Sequence, residues 1–229
     1  MDPVVDAVGT ETRVVLVDDD ALVRMGLQAM LDGVSGIQVV GEAADGSEVP
    51  AAVAAHRPDV VLMDLRMKRI DGITATRELR ARGETPAVIV LTTFNDDDLI
   101  EQSIRAGAVG YLLKHAPPDD IVRAIRAAHA GESLLSPEIA RRVLTLIAGT
   151  AEATGTADAI ATARARLRHL STRELQVAKA VADGKSNAEI ATALAITVPT
   201  VKGYVGTIFT KTDAENRVQL ALIVNAAGL

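Results

Sequence analysis

The sequence predicts an α/β fold, a (βα)5 doubly wound parallel sheet, followed by an all-α four-helix helix-turn-helix domain. Three observations predict it. From residue 13 to about 130, short Val/Ile/Leu runs alternate with longer amphipathic stretches, the pattern of strands buried on both faces and separated by helices. After Gly131 the strand signal stops. Near the C-terminus, Ser171 and Ser186 each open a helix-start signature. A chain of 229 residues also suits two modest domains better than one.

The strands fall at Val14 to Val17, Ile37 to Val40, Val60 to Met63, Val88 to Leu91 and Val109 to Leu112, with helices between them. Gly107, Gly110, Gly131 and Pro117-Pro118 punctuate the later elements, and Pro118 fits a first helical turn. Ser136-Pro137 opens another helical run to about Ile147. Ala148 to Ala165 is Ala/Thr/Gly-rich, has no fixed hydrophobic period and reads as a linker. The expected division is therefore residues 12–131, a helix and linker over 132–165, and a second domain over 166–229.

In that second domain, Ser171-Thr-Arg-Glu174 and Ser186-Asn-Ala-Glu189 carry the S-x-x-E capping box, in which hydroxyl and carboxylate satisfy free helix-end donors. Thr197 caps a third helix, with Pro199 tolerated because first-turn amides have no intrahelical partner. A fourth helix spans about Ala214 to Ala227. Asn187 to Lys211 thus holds two helices joined by a tight connection at Leu194 to Thr197, which is helix-turn-helix spacing.

Composition narrows the chemistry. Aromatic residues are 2% of the chain, so base-stacking platforms are not expected. There is no cysteine, which removes disulfides, thiolate metal sites and cysteine nucleophiles and suits a reducing cytoplasm. No basic-then-apolar leader and no long uncharged apolar run appears, so a soluble protein without a membrane partner is expected. The net charge of -6 is uneven: residues 164–229 hold nine Lys or Arg against five Asp or Glu, and the remainder fifteen against twenty-five. An acidic front and a mildly basic tail fit a nucleic-acid domain at the C-terminal end.

Asp18, Asp19 and Asp20 follow the first strand and Asp64 ends the third, so all lie at the carboxyl edge of a parallel sheet, where open α/β sheets bind ligands. Massed carboxylates repel one another unless a hard divalent ion such as Mg²⁺ neutralises them. Thr92 and Thr93 end the fourth strand and Lys114 the fifth, bringing hydroxyl and ammonium groups able to contact phosphoryl oxygens. Singly, each has a plain structural reading as a cap, a backbone partner or a solvated lysine; four strand ends with complementary groups point to phosphoryl transfer. The first strand ends in DDD rather than a glycine-rich turn, and no G-x-x-x-x-G-K-[ST] occurs, which disfavours nucleotide binding.

The runs VLVDDDALVRMGL, DVVLMDLRMKRIDGI, VLTTF and GAVGYLLK resemble the receiver domain of two-component response regulators. The resemblance implies that Asp64 accepts a phosphoryl group from a sensor histidine kinase. It implies that Asp18, Asp19, Asp64 and the backbone carbonyl of Arg66 hold Mg²⁺, that Thr92 and Lys114 bind the phosphoryl group, and that Thr92 and Tyr111 form the switch. The chain departs from the usual pattern at Asp20, Lys68 and His115, none of which removes a ligand.

LSTRELQVAKAVADGKSNAEIATAL and TVPTVKGYV are similar to the LuxR-type helix-turn-helix of the NarL/FixJ class. In that arrangement the helix from Val198 to Thr210 enters the major groove of promoter DNA. Thr200, Lys202, Gly203, Tyr204 and Thr207 are its candidate base contacts, although Gly203 and Tyr204 stand where relatives carry Thr or Ser followed by His. Lys185, Asn187 and Lys211 are candidate phosphate contacts. Val218, Leu222 and Ile223 give the last helix an apolar surface, which by resemblance forms a homodimer and otherwise packs into the core. The chain is expected to be a phosphorylation-switched transcriptional regulator rather than an enzyme. A phosphate-independent DNA-binding regulator is the alternative. A Mg²⁺-dependent aspartyl phosphatase is disfavoured, because Arg66 stands where its second carboxylate belongs.

Overall fold

The computed structural model describes residues 11–82, 86–93, 97–135 and 157–229. Its first half is one parallel sheet in the order β2-β1-β3-β4-β5-β6, with β1 at Thr12–Val17, β2 at Ile37–Ala43, β3 at Val60–Asp64, β4 at Ala87–Thr92, β5 at Gly110–Leu113 and β6 at Leu134–Leu135. The helices between them are α1 (Ala21–Leu31), α2 (Val49–His56), α3 (Gly72–Ala81), α4 (Asp97–Arg105) and α5 (Pro118–His129).

The two-residue alternation of the strands sorts the core into layers. Val14, Leu16, Val60, Leu62, Ile89 and Leu91 point to one face, where Leu27 and Leu31 of α1 and Ile121 and Ile125 of α5 cover them. Val15, Val17, Val61, Met63 and Val88 point to the other, under Val49 and Val53 of α2 and Ala75 and Leu79 of α3. Each such burial stabilises the fold by roughly 1.5–3 kcal/mol, which is how a core almost without aromatic rings is held.

Two departures from the expected boundaries follow from backbone pairing and helix propensity. Leu134–Leu135 extends the sheet by pairing with β5 at Gly110 and Tyr111, where the sequence suggested only a helix and linker after Gly131. Ala157–Leu167 is helical (α6), and Ala163 and Leu167 enter the C-terminal core, so the linker expected to run to Ala165 is already folded there. Alanine is the best helix former, and a weakly amphipathic Ala-rich helix lacks the period that marks one in sequence. The run expected from Ser136 to Ile147 lies outside the described residues, as does 148–156.

The C-terminal half continues with α7 (Thr172–Ala182), α8 (Asn187–Leu194), α9 (Val198–Thr212) and α10 (Arg217–Ala226). These are the four helices expected over 166–229, and α6 precedes them. Both capping boxes are formed, by Ser171 with Glu174 and by Ser186 with Glu189. Thr197 accepts from the amide of Thr200. Ala195 takes a left-handed φ of 52°, which closes the connection between α8 and α9 tightly. The last helix starts at Arg217 rather than about Ala214 because Asn216 caps it, accepting from the amide of Gln219 at 2.8 Å. Val177, Ile190, Val201, Val205, Ile208, Leu220 and Val224 fill the core of this half.

The two halves touch. Asn216 Nδ2 and Gln219 Nε2 donate to the carbonyl of Ile104 at 2.8 and 2.7 Å, supplying donors to the end of α4, where helix carbonyls have no partner of their own. Val218 packs on the cluster of Leu65, Ile100 and Tyr111.

Candidate functional site

Because β1, β3, β4 and β5 are parallel neighbours, the residues at their carboxyl ends meet. Lys114 Nζ lies 2.6 Å from Asp18 Oδ2 and 3.2 Å from Asp64 Oδ1. The Lys114 amide donates to the carbonyl of Thr92 at 2.8 Å, which fixes the start of the β5–α5 connection beside β4. One carboxylate oxygen from each of Asp18, Asp19 and Asp64 falls within 4.8 Å of the others. Thr92 and Tyr111 are buried in the same half, and Arg66 follows Asp64 closely enough for its amide to hydrogen-bond the Asp64 carboxylate.

The electrostatics are those of a site with too much negative charge. Burial pushes the Asp64 carboxyl above its ordinary value; Lys114 pulls it back and Asp18 pushes it further up. Burial pulls the Lys114 ammonium down, but its contacts with Asp18 and Asp64 outweigh this and leave it above 10.5. A buried nucleophilic carboxylate beside a fixed cation, with two more carboxylates in reach, is suited to attack on an electrophile whose anionic oxygens Lys114 can bind. The three carboxylates form an all-oxygen donor set, which fits a hard divalent cation such as Mg²⁺.

Two residues that sequence reasoning missed hold this geometry. Asp45 accepts from the Ser47 amide and hydroxyl at 3.0 and 2.7 Å and, across to the loop after Asp64, from the amides of Arg69 and Ile70 at 2.9 and 3.4 Å. The Ser47 hydroxyl first, and then these backbone N–H groups, hold its carboxyl well below the usual carboxylate range against the opposing effect of burial. Arg24 Nη1 donates to the carbonyl of Asp18 at 2.6 Å while Nε pairs with Glu42 at 2.8 Å. Asp45-Gly46-Ser47 has the composition of an Asx turn, a signal present in the sequence; the reach of Asp45 to Arg69 is not.

The family departures are also placed. Asp20 Oδ1 caps α1 by accepting from Leu22 N at 2.8 Å, so it serves the helix and stands outside the three-carboxylate group. Lys68 Nζ sits 3.6 Å from Asp19 Oδ2 with most of its side chain in solvent. His115 is exposed.

The second expected surface is α9. Thr200, Lys202, Gly203 and Thr207 are exposed on it and Tyr204 is half-buried, while Val201, Val205 and Ile208 face the core. Lys185 is exposed. The other expected residues are engaged within the protein. Lys211 is paired with Glu174 inside the domain. Asn187 is 2% exposed, held by groups of the first half. Ile223 is 7% exposed in the core and Val218 lies against the first half, which leaves half-buried Leu222 of the apolar set expected on a dimer face. Spacing alone cannot tell an apolar residue facing a core from one facing a partner.

Comparison with known proteins agrees with both halves. The family described as Response regulator receiver domain matches residues 14–126, and that described as Bacterial regulatory proteins, luxR family, matches residues 168–224. The Transcriptional regulatory protein LiaR of Bacillus subtilis (strain 168) is 42% identical over 92% of this chain and 95% of its own length. The Response regulator protein VraR of Staphylococcus aureus (strain N315) is 34% identical over 92% of this chain and 94% of its own. The crystal structure of ChrA, a response regulator of a heme-sensing two-component system, covers 95% of this chain and 98% of its own at 33% identity and a TM-score of 0.51. With a receiver sheet that carries the acidic pocket and a LuxR-type helix-turn-helix behind it, the chain belongs to the response regulators of the NarL/LuxR class, the transcriptional regulators of two-component systems.

Proposed function

We infer that this regulator is switched by phosphorylation of Asp64 by a sensor histidine kinase in the cytoplasm. The observation that carries the reading is the Lys114 ammonium held between Asp18 and Asp64. An Asp64 carboxylate oxygen attacks the phosphorus of a phosphohistidine, the P–N bond breaks, the imidazole leaves with the electron pair, and an acyl phosphate forms. Lys114 then pairs with a phosphoryl oxygen, and the hydroxyl of Thr92, at the end of the neighbouring strand, binds another. Asp18, Asp19, Asp64 and the carbonyl of Arg66 would hold Mg²⁺, which when bound supplies positive charge against the phosphoryl oxygens. The neighbourhood of Thr92 and Tyr111 passes the change outward.

The output is binding to double-stranded promoter DNA. Exposed Thr200, Lys202, Gly203 and Thr207, with the neighbouring Tyr204, are the base-reading candidates on α9, and Lys185, Asn187 and Lys211 the backbone candidates. Leu222, joined by Val218 once it is released, is the surface available for pairing two copies. The domain limits consistent with this reading are 12–135 and 157–229.

Intact mass tests the switch. Wild type and Asp64→Ala are incubated with acetyl phosphate and Mg²⁺ and then assayed on genomic DNA fragments. A phosphoryl adduct on wild type alone, with tighter DNA binding, supports the reading. DNA binding with no adduct would make the regulator phosphate-independent.

A further inference from the structure

Two lysines divide the three carboxylates of the acidic pocket. Lys114 pairs with Asp18 and Asp64. Asp19, the most accessible of the three, has Lys68 Nζ at 3.6 Å from its Oδ2. The two cations are held differently: the Lys114 side chain is largely enclosed, whereas that of Lys68 is 83% exposed.

The backbone that carries Lys68 is nevertheless fixed. Asp45 accepts from the amides of Arg69 and Ile70 at 2.9 and 3.4 Å. The Gly46 amide donates to the Ile70 carbonyl at 3.1 Å, and the Gly72 amide closes the loop by donating to the Leu65 carbonyl at 3.1 Å. A Cβ on Gly46 would stand 2.4 Å from that same Ile70 oxygen, so the loop lies hard against the connection from β2 to α2. Of two consecutive cations, Arg69 turns to Asp45 and Glu48 and Lys68 to Asp19. The loop thus delivers one mobile ammonium group to the rim of the pocket.

We propose that Lys68 is a displaceable counter-ion of the metal site: its ammonium group and Mg²⁺ compete for the Asp19 carboxylate, so that this residue sets the Mg²⁺ concentration at which the pocket loads. The proposal rests on the Mg²⁺ reading of the pocket and adds what tunes its affinity. Lys68 is suited to leave, because an exposed ammonium group regains its hydration on release, while enclosed Lys114 would forfeit two carboxylates at once. A lysine that shares Asp19 opposes an incoming cation twice, by occupying the carboxylate and by repelling positive charge. Lys68 is also one of the positions at which the chain departs from the receiver pattern, so the device belongs to this chain rather than to the fold.

The test is isothermal titration of the full chain with MgCl₂ at low and high KCl, repeated with Mn²⁺ by following the electron paramagnetic resonance signal of the free ion. Wild type, Lys68→Gln, Lys68→Arg and Lys179→Gln are compared, the last removing an exposed lysine of α7 as a net-charge control. Lys68→Gln is expected to bind Mg²⁺ about threefold more tightly than wild type at low KCl, and the gap should narrow at high KCl as salt screens the lysine. Lys68→Arg, which keeps the charge, should stay near wild type, and Lys179→Gln should match wild type. Equal affinity in Lys68→Gln and wild type, a gain that Lys179→Gln shares, or a gain indifferent to KCl overturns the proposal. Absence of Mg²⁺ and Mn²⁺ binding by every form, wild type included, overturns the metal reading of the pocket itself.

Discussion

Lys211 Nζ lies 2.8 Å from both carboxylate oxygens of Glu174, joining the end of α9 to the first turn of α7. A basic residue at the end of this helix looks in sequence like a phosphate contact, and in the structure it also has a partner within the fold. The lysine first, and the Ser171 amide second, hold the Glu174 carboxyl below its ordinary 4.5. For an acid whose folded pKa is depressed, the stabilisation is fully present above the unfolded value and is lost as pH falls through the folded one. Lys211→Ala is therefore expected to lower the thermal midpoint of the C-terminal half at pH 7 (order of magnitude a few degrees), and the gap from wild type should close as pH drops below 4.5. Unfolding followed by circular dichroism from neutral to acid pH checks this; a gap that stays constant would show that the pair contributes nothing through its charge.

The acidic pocket around Asp64 should show the opposite sign. Burial raises the Asp64 pKa in the folded state, so its ionisation opposes folding. That cost is relieved as pH falls through the folded pKa and is fully present at neutral pH. Asp64→Asn removes it and should raise the midpoint by about 2–4 °C at pH 7 while abolishing the phosphoryl adduct. Lys114→Ala, which leaves Asp18 and Asp64 without their shared cation, should lower the midpoint and enlarge the stabilisation gained on adding Mg²⁺. Calorimetry with and without Mg²⁺ reads both.

Asp45 acts on the pocket through the loop after Asp64, since its carboxylate is what the amides of Arg69 and Ile70 bond to. Asp45→Ala is expected to weaken Mg²⁺ binding about tenfold, with Asp45→Asn, which keeps one acceptor oxygen, falling between. Isothermal titration with Mg²⁺ measures it. Unaltered Mg²⁺ affinity in a destabilised Asp45→Ala would reduce the residue to a turn cap.

The strands and the pocket were legible for one physical reason: side chains buried on both faces of a parallel sheet force continuous Val/Ile/Leu runs, and the polar residues that end those runs mark the sheet edge. Asp18, Asp64, Thr92 and Lys114 are each the first interruption of such a run. The C-terminal helices were legible through their caps, at Ser171, Ser186 and Thr197. What the sequence hid depends on distant partners. Lys211 and Asn187 are polar residues on correctly placed helices, and only tertiary packing reveals that Glu174 and Glu132 hold them. Ala157–Leu167 was hidden by composition, being helical through alanine propensity without a strong apolar stripe.

Glycines separate close packing from open helix surface. A Cβ on Gly72 would stand 2.1 Å from the backbone oxygen of Asp64, the proposed phosphoacceptor, and a main-chain oxygen cannot swing aside as a side chain can. Gly72→Ala should cost about 2–4 kcal/mol and slow adduct formation. Guanidinium unfolding and the acetyl phosphate assay together would show whether loss of fold and loss of phosphorylation coincide.

Gly203 is the contrasting case. It lies within α9, exposed, and a Cβ there meets nothing within 4 Å; nor does it hold a positive φ. No packing or backbone reason within the domain requires glycine, so Gly203→Ala should stabilise the helix by about 1 kcal/mol and raise the midpoint of the C-terminal half by roughly 4–8 °C. What the substitution does to DNA binding then discriminates between two roles for the glycine. Unchanged or improved affinity would mean that it merely weakens the helix. Weakened affinity, in a protein that has become more stable, would mean that the bare backbone at 203 is pressed against the DNA, where a methyl group keeps the two surfaces apart.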